Sequence, residues 1–310
     1  MWADNNLKSY TLFSQYLKSL EHFQFLPIEE KNILTSATVF FSAYEKKYNR
    51  RILIKRFNKS LDKYHEFEVE SYALNNIDQN NIIKPIGIFE DDDFGYIVLP
   101  YAEGGDLFDI MHSKMILFNN DQLIQIAFCL LSALDKIHSK GFVYRDMKLE
   151  NIVFLKKFDE LSCLSIFDDM LLIDFGSCYI ESKSKCINEF RGTDAYRAPE
   201  YIFHRRVTDK YDIFSLGILL YYLAVAYLPL DENKDCDEFE MKILLSSNNI
   251  SNLFAGEEWD GISDGVKQLI QSMLLFDENA RPSSRELLND DIFANLLSPY
   301  AFNDEDNIEY

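Results

Sequence analysis

No glycine precedes Gly87, and the chain of 310 residues has only 11. This excludes from the first quarter any loop in which glycines let backbone N–H groups close on a phosphate. Cysteine is scarce and unpaired in spacing. Cys129, Cys163, Cys178, Cys186 and Cys236 contain no CxxC, which excludes a disulfide framework or cysteine zinc site and predicts reduced thiols in the cytoplasm. The N-terminus, MWADNNLKSYTLF, lacks the basic and apolar regions of a secretory signal. No apolar run reaches the roughly 20 residues of a membrane-spanning helix. The longest, Phe214–Leu230, is interrupted by Ser215, Gly217 and three tyrosines and predicts a buried helix. Positive charge is also short, and the net charge is −20. Residues 1–100 are nearly balanced, with 12 basic and 14 acidic side chains, whereas residues 101–310 carry 19 and 37. That sign excludes nucleic acid as a partner, because phosphate contacts require the opposite charge. It serves solubility, or a field that draws basic peptides to the second half.

Apolar material is abundant, at 47% hydrophobic and 15% aromatic, enough for two packed lobes. From about residue 33 to 57 the pattern is β-like. In "RILIKRF", Leu53, Lys55 and Phe57 share one strand face, and Ile52 and Ile54 share the other. "HEFEVESYALNNI" reads as a helix, and "NIIKPIGIFEDDDFGYIVLPY" as two strands joined by an acidic turn at Asp91–Gly95. From Asn120 the period becomes helical, with Asn120 or Asp121 as the cap. Strands early and helices late, with a hinge near Pro100–Gly105, predict an α+β fold in two lobes with a ligand cleft between them.

One short stretch concentrates chemistry. "YRDMKLEN", residues 144–151, sets an arginine, an aspartate, a lysine and an asparagine between apolar segments. "DFG" follows at 174–176, "APE" at 198–200 and "DIFSLG" at 212–217, with "ILIKR" and "AEGGDLF" upstream. In order and spacing this series resembles the eukaryotic protein kinases over about residues 34–297. Lys148, two residues after Asp146, is similar to the Ser/Thr type, and Tyr144 before "RD" is similar to basophilic AGC and calmodulin-dependent-like kinases. The resemblance implies a bilobal fold with a small β-rich lobe, 34–100, and a large helical lobe, 101–297. These are flanked by an extension, 1–33, and an acidic tail, 298–310. The extension is expected to pack on the domain or dock a regulatory partner.

The same resemblance implies ATP and Mg²⁺ as cofactors and a protein substrate with basic residues near the phosphoacceptor. Asp146 would orient the substrate hydroxyl and Lys148 would steady the γ-phosphate, while Asn151 and Asp174 would hold the metal. Lys55 would hold the α/β-phosphates and pair with Glu70, with Glu66 and Glu68 as competing choices. Val39 and Leu53 above and Val153 below would enclose adenine, with Leu99 as gatekeeper and Pro100, Tyr101 and Ala102 as hinge. Asp106 would bind the ribose, and Asp106 with Glu150 would recognise an arginine. In the activation segment Arg145 would bind an anion, Thr193 would contact Asp146, and Glu189 would supply a permanent negative charge, with Ser182 and Ser184 as alternative phosphosites. Glu200, Asp212 and Arg281 would hold the site together.

Three departures from the family pattern stand out. The phosphate loop reads "LTSATVFFSAY", residues 34–44, so the hydroxyls of Thr35, Ser36 and Thr38 would replace glycine backbone contacts. Leu53 occupies a place where the family has a small alanine. Asn151 and Asp174 are 23 residues apart, about ten more than usual, which predicts a surface excursion at Phe158–Asp169. These departures favour a pseudokinase as the rival reading. The retained Lys55, Asp146, Asn151 and Asp174 favour an enzyme.

Overall fold

Alternation in "RRILIKRFN" produces a central strand whose two faces meet different surroundings. The structure, a computed structural model, describes residues 23–25, 38–46, 48–61, 64–114, 116–157, 164–180, 194–229, 238–246 and 248–297. Strands β1 (Phe23–Phe25), β2 (Thr38–Glu45), β3 (Arg50–Asn58), β4 (Gly87–Glu90) and β5 (Phe94–Pro100) form one antiparallel sheet in the order β1-β2-β3-β5-β4. Phe57, Ile97 and Leu99 on one face join the main core with Phe67 of helix α1 (Tyr64–Asn76). Ile52 and Ile54 on the other face pack with Ala43 and Val98 in a separate small core. The sheet begins before the expected boundary at residue 34, because Phe23–Phe25 pairs with Ala43–Glu45. The rest of segment 1–33 and the tail 298–310 lie outside the described residues. The acidic turn spans Asp91–Asp93, and Gly95 already belongs to β5, where its pairing with Phe57 leaves no room for a side chain against the Phe67 ring.

Past the hinge the chain continues as β6 (Gly105–Asp106), α2 (Leu107–Lys114), α3 (Asn120–Ser139) and β7 (Phe142–Val143). It then forms β8 (Ile152–Phe154), α4 (Leu164–Asp169), β9 (Met170–Leu172) and β10 (Tyr179–Ile180). Helices α5 (Pro199–His204), α6 (Asp209–Val225), α7 (Glu238–Leu244), α8 (Asp264–Met273), α9 (Ser284–Leu288) and α10 (Ala294–Leu297) complete the large lobe. Helix α3 is capped one residue earlier than the sequence suggested. Asn119 accepts from Gln122 N at 3.0 Å, and Gln122 Oε1 accepts from Asn119 N at 3.1 Å. This reciprocal pair satisfies two otherwise orphaned amides, which Asn120 and Asp121 cannot do from inside the helix. The excursion between β8 and β9 is more than a surface loop. Its helix α4 buries Ile166 fully, and Phe167 lies edge-on to Phe128 of α3 at 6.2 Å.

Helix α6 is apolar around nearly its whole circumference and is buried along its length, as a helix without a polar stripe must be. No helix among the described residues is both long and apolar enough to cross a membrane. Gly217 lets α8 approach it closely, since a Cβ there would sit 2.8 Å from Met273 Cβ and 2.9 Å from Leu274 Cδ2. Gly217→Ala is therefore expected to destabilise by about 1–3 kcal/mol through overpacking, lowering Tm by roughly 2–10 °C. A calorimetric Tm equal to that of the parent would contradict this close approach.

Candidate active site

The cleft is assembled around Lys55 of β3. Its Nζ donates to Glu70 Oε2 at 2.7 Å and to Asp174 Oδ1 at 2.9 Å, joining residues 119 positions apart in the chain. The competition among three glutamates is thereby decided. Glu70 lies on the buried side of α1 with Phe67, Ala73 and Leu74, whereas Glu68 faces solvent and Glu66 sits one turn away beside Gly176. Burial alone would lower the Lys55 pKa, but the two carboxylates outweigh it and hold the ammonium well above its ordinary value. Burial likewise pushes the Asp174 carboxyl up, and the Lys55 charge and hydrogen bond reverse this, leaving it below its usual range. For Glu70 burial wins and its pKa is raised.

The catalytic-loop candidates meet across the cleft from Lys55. Asp146 Oδ2 accepts from Lys148 Nζ at 2.8 Å and from Asn151 Nδ2 at 2.9 Å, and its backbone oxygen accepts from Asn151 Nδ2 at 2.8 Å. Asn151 thus spends its amide protons on Asp146, so its carbonyl oxygen is the atom it has to offer a metal. The loop hangs from Asp212 of α6, which is completely buried and accepts from Tyr144 N and Arg145 N at 2.8 Å each. Arg145 and Asp174 both have positive φ, 72° and 58°, a conformation costing about 1–3 kcal/mol for such residues. The anchoring to Asp212 and Lys55 offsets that cost. Glu200 and Arg281 form a buried two-pronged pair at 2.9 and 2.5 Å below the loop.

Two contributors went unnoticed in the sequence. Tyr144 donates its hydroxyl to Ile173 O at 2.5 Å and sets its ring against Phe175 at 5.3 Å, tying the catalytic loop to the segment that carries Asp174. His138 Nε2 lies 2.8 Å from Asp212 Oδ2. The unusual tyrosine before "RD" was a signal for the first, but nothing in the helical pattern of α3 distinguished His138.

The small-lobe wall of the cleft differs from expectation at one residue. Leu53 pairs across the sheet with Leu99, and Val153 pairs with Asp106 on the large-lobe side. Val39 is that residue. It pairs with Arg56 and belongs to the face of Ile52 and Ile54, away from Lys55. Phe40 pairs with Lys55 itself, and Ser42 is the β2 residue that pairs with Leu53. The resemblance placed Val39 on the wrong face, because with a side-chain period of two any odd offset along a strand moves a residue to the other face. Thr38 is on the Lys55 face, but its Oγ1 is buried with no partner among the described residues, so it is not presented to a phosphate. At the hinge, Ala102 uses its carbonyl for Gly105 N, and the Tyr101 ring carries the Arg51 guanidinium at 3.7 Å. Asp106 Oδ1 accepts from Asp109 N at 2.8 Å; burial raises its carboxyl pKa, and the nearby charges of Asp109 and Glu150 add to the rise. Thr35, Ser36, Ser182, Ser184, Glu189 and Thr193 lie outside the described residues.

This arrangement matches a known family along most of the chain: the protein kinase domain corresponds to residues 35–293. The chain belongs to the protein kinase family. Among curated relatives, it is 30% identical over 68% of its length to a calcium and calcium/calmodulin-dependent serine/threonine-protein kinase of Pisum sativum. It is 32% identical over 76% to the serine/threonine-protein kinase zyg-8 of Caenorhabditis elegans, and 30% identical over 81% to a probable serine/threonine-protein kinase 2 of Plasmodium falciparum. These alignments cover 37%, 28% and 46% of the respective relatives, so the kinase chain spans less than half of each. Its small β-rich and large helical regions are the two lobes of a kinase fold.

Proposed function

We propose that this kinase transfers the γ-phosphate of ATP to serine or threonine hydroxyls of protein substrates. The observation that carries the reading is Lys55 held between Glu70 and Asp174, which places a fixed ammonium and a carboxylate at one point of the cleft. Phosphoryl transfer asks mainly for positioning and charge neutralisation, and these residues supply both. Oxygen ligands at near-octahedral sites suit Mg²⁺, and the Asp174 carboxylate with the Asn151 carbonyl fits that donor set. When bound, the metal would neutralise charge on the phosphate oxygens. Lys55 holds the α/β-phosphates, Asp146 orients the acceptor hydroxyl and takes its proton, and Lys148 steadies the developing charge on the transferred group. Asp106 and Glu150, coupled electrostatically at the large-lobe rim, favour a substrate with an arginine before the acceptor.

The decisive experiment incubates the purified chain with γ-labelled ATP, Mg²⁺ and Ser/Thr peptides carrying either basic or acidic flanks. Label is expected on the basic peptide. Nucleotide-dependent thermal stabilisation without any labelled peptide would replace this reading with a pseudokinase, which the missing glycines of the phosphate loop favour.

Regulation is proposed to need no upstream kinase. Arg145 is buried, and its Nη2 has no hydrogen-bond partner among the described residues, which leaves a cation open to an anion. Glu189 of the activation segment supplies a permanent one in place of a phosphate. Glu189→Ala is expected to lower turnover roughly tenfold, the loss of one charge-assisted hydrogen bond. Undiminished turnover in initial-rate assays would remove Glu189 from this role.

A further inference from the structure

The small-lobe sheet is buried on both faces, yet the described elements cover only one of them. Helix α1 lies on the face of Phe57, Ile97 and Leu99. On the other face Ala43, Ile52 and Val98 are 0% exposed and Ile54 6%. Among the described residues, every side chain packed with these four belongs to the sheet itself or to Ile86 at the entry to β4. A single layer of strands leaves its outward side chains open to water, and closing them off takes a second layer. Burial this complete therefore requires a cover on the outer face of β2, β3 and β5.

The chain before β1 is placed to supply it. Phe23 pairs with Glu45 and Phe25 with Ala43, so the chain enters the sheet beside this small core. In residues 1–22, Tyr10, Phe13, Leu17 and Leu20 recur at spacings of three and four, with Thr11, Ser14, Gln15 and Lys18 between them. That is the stripe of an amphipathic helix. As a helix the 14 residues Leu7–Leu20 extend about 21 Å. The four strand spacings from β1 to β4 add up to about 19 Å, so one helix reaches across the sheet. The connection 26–37, by contrast, carries Pro27 and the charged run Glu29–Lys31, and is committed to joining β1 to β2. We infer that residues 1–22 dock as an amphipathic helix on the outer face of the small-lobe sheet, setting Tyr10, Phe13, Leu17 and Leu20 against Ala43, Ile52, Ile54 and Val98. Ile52 and Ile54 alternate with Leu53 and Lys55, so the layer that holds the outer face also holds the strand carrying the cleft lysine. The inference does not depend on the ATP reading.

The test is photo-cross-linking in the full chain. Benzoylphenylalanine replaces Phe13 in one preparation and Gln15, on the polar side of the stripe, in another, and the linked peptides are mapped after irradiation. Links from position 13 to β2, β3 or β5 of the same chain are expected, several-fold more abundant than those from position 15. Links from position 13 to the large lobe or to a second copy overturn the inference, and so does a yield no greater than that from position 15. Thermal unfolding gives a second readout. Phe13→Ser with Leu17→Ser is expected to lower Tm by roughly 5 °C or more, and Ser14→Gln with Lys18→Gln to leave it within about 2 °C. An unchanged Tm in the stripe variant also overturns the inference. The cross-link map is read on the otherwise unaltered chain, so it decides the matter even where the stripe variant fails to fold.

Discussion

Asp146→Asn is expected to cut phosphate transfer by about 10²- to 10⁴-fold while leaving ATP affinity within about threefold of the parent. The carboxylate sits at the convergence of Lys148 and Asn151, and its backbone is fixed by the neighbouring amides of Tyr144 and Arg145 on Asp212. An asparagine of the same shape keeps the loop geometry but cannot take a proton from the acceptor hydroxyl. It also turns one acceptor oxygen into a donor facing Lys148, so the positioning of that lysine suffers as well. In the proposed reading the nucleotide is held by Lys55 and the hinge, and the side-chain partners of Asp146 are Lys148 and Asn151 instead. Initial-rate transfer assays paired with ATP titration separate the two effects. Full transfer by the variant would remove Asp146 from the chemistry, and a parallel loss of ATP affinity would make its role structural.

Arg281→Ala is expected to destabilise the large lobe by about 3–5 kcal/mol, lowering Tm by roughly 10 °C or more. Arg281 is almost fully buried and donates to both Glu200 oxygens and also to the backbone oxygens of Leu275, Lys210 and Phe276. Its removal strands the Glu200 charge in the interior together with three carbonyls. Arg281→Lys recovers little, since a single ammonium cannot reproduce the planar fork. Replacing both partners, Glu200→Leu with Arg281→Met, is expected to cost less than Arg281→Ala, because no charge is then left unpaired. Denaturant melts of the three variants check this ordering. A double variant less stable than Arg281→Ala would show that the pair contributes more than its desolvation cost.

Much of the site was readable before any coordinates, since the chemistry of phosphate transfer demands particular residue types in a particular order. The motifs singled out Lys55, Asp146, Lys148, Asn151 and Asp174, the fold brings Lys55 to Asp174 and both Lys148 and Asn151 to Asp146, and the face assignment within β3 followed from its alternation alone. The helical pattern of "HEFEVESYALNNI" narrowed the partner of Lys55 to glutamates on one segment. The resemblance favoured Glu70, and the packing of α1 on the sheet bears that out and excludes Glu66, which shares its side of the helix.

The roof of the slot was not readable in this way. Placing Val39 by resemblance presumes the length of the β2–β3 connection, which lies between the paired Glu45 and Arg50. Asn49 adopts a positive φ there, and the pairing it permits sets Phe40 opposite Lys55. The amino-acid order by itself determined the family and the two-lobed α+β arrangement and singled out the candidate reacting groups, since these depend on motifs of residue chemistry and on local periodicity. Tertiary structure alone decided which residues of β2 share the face of Lys55, and that Tyr144 and His138 brace the loop. Those outcomes depend on strand register and on contacts between residues far apart in the chain, which no local pattern records.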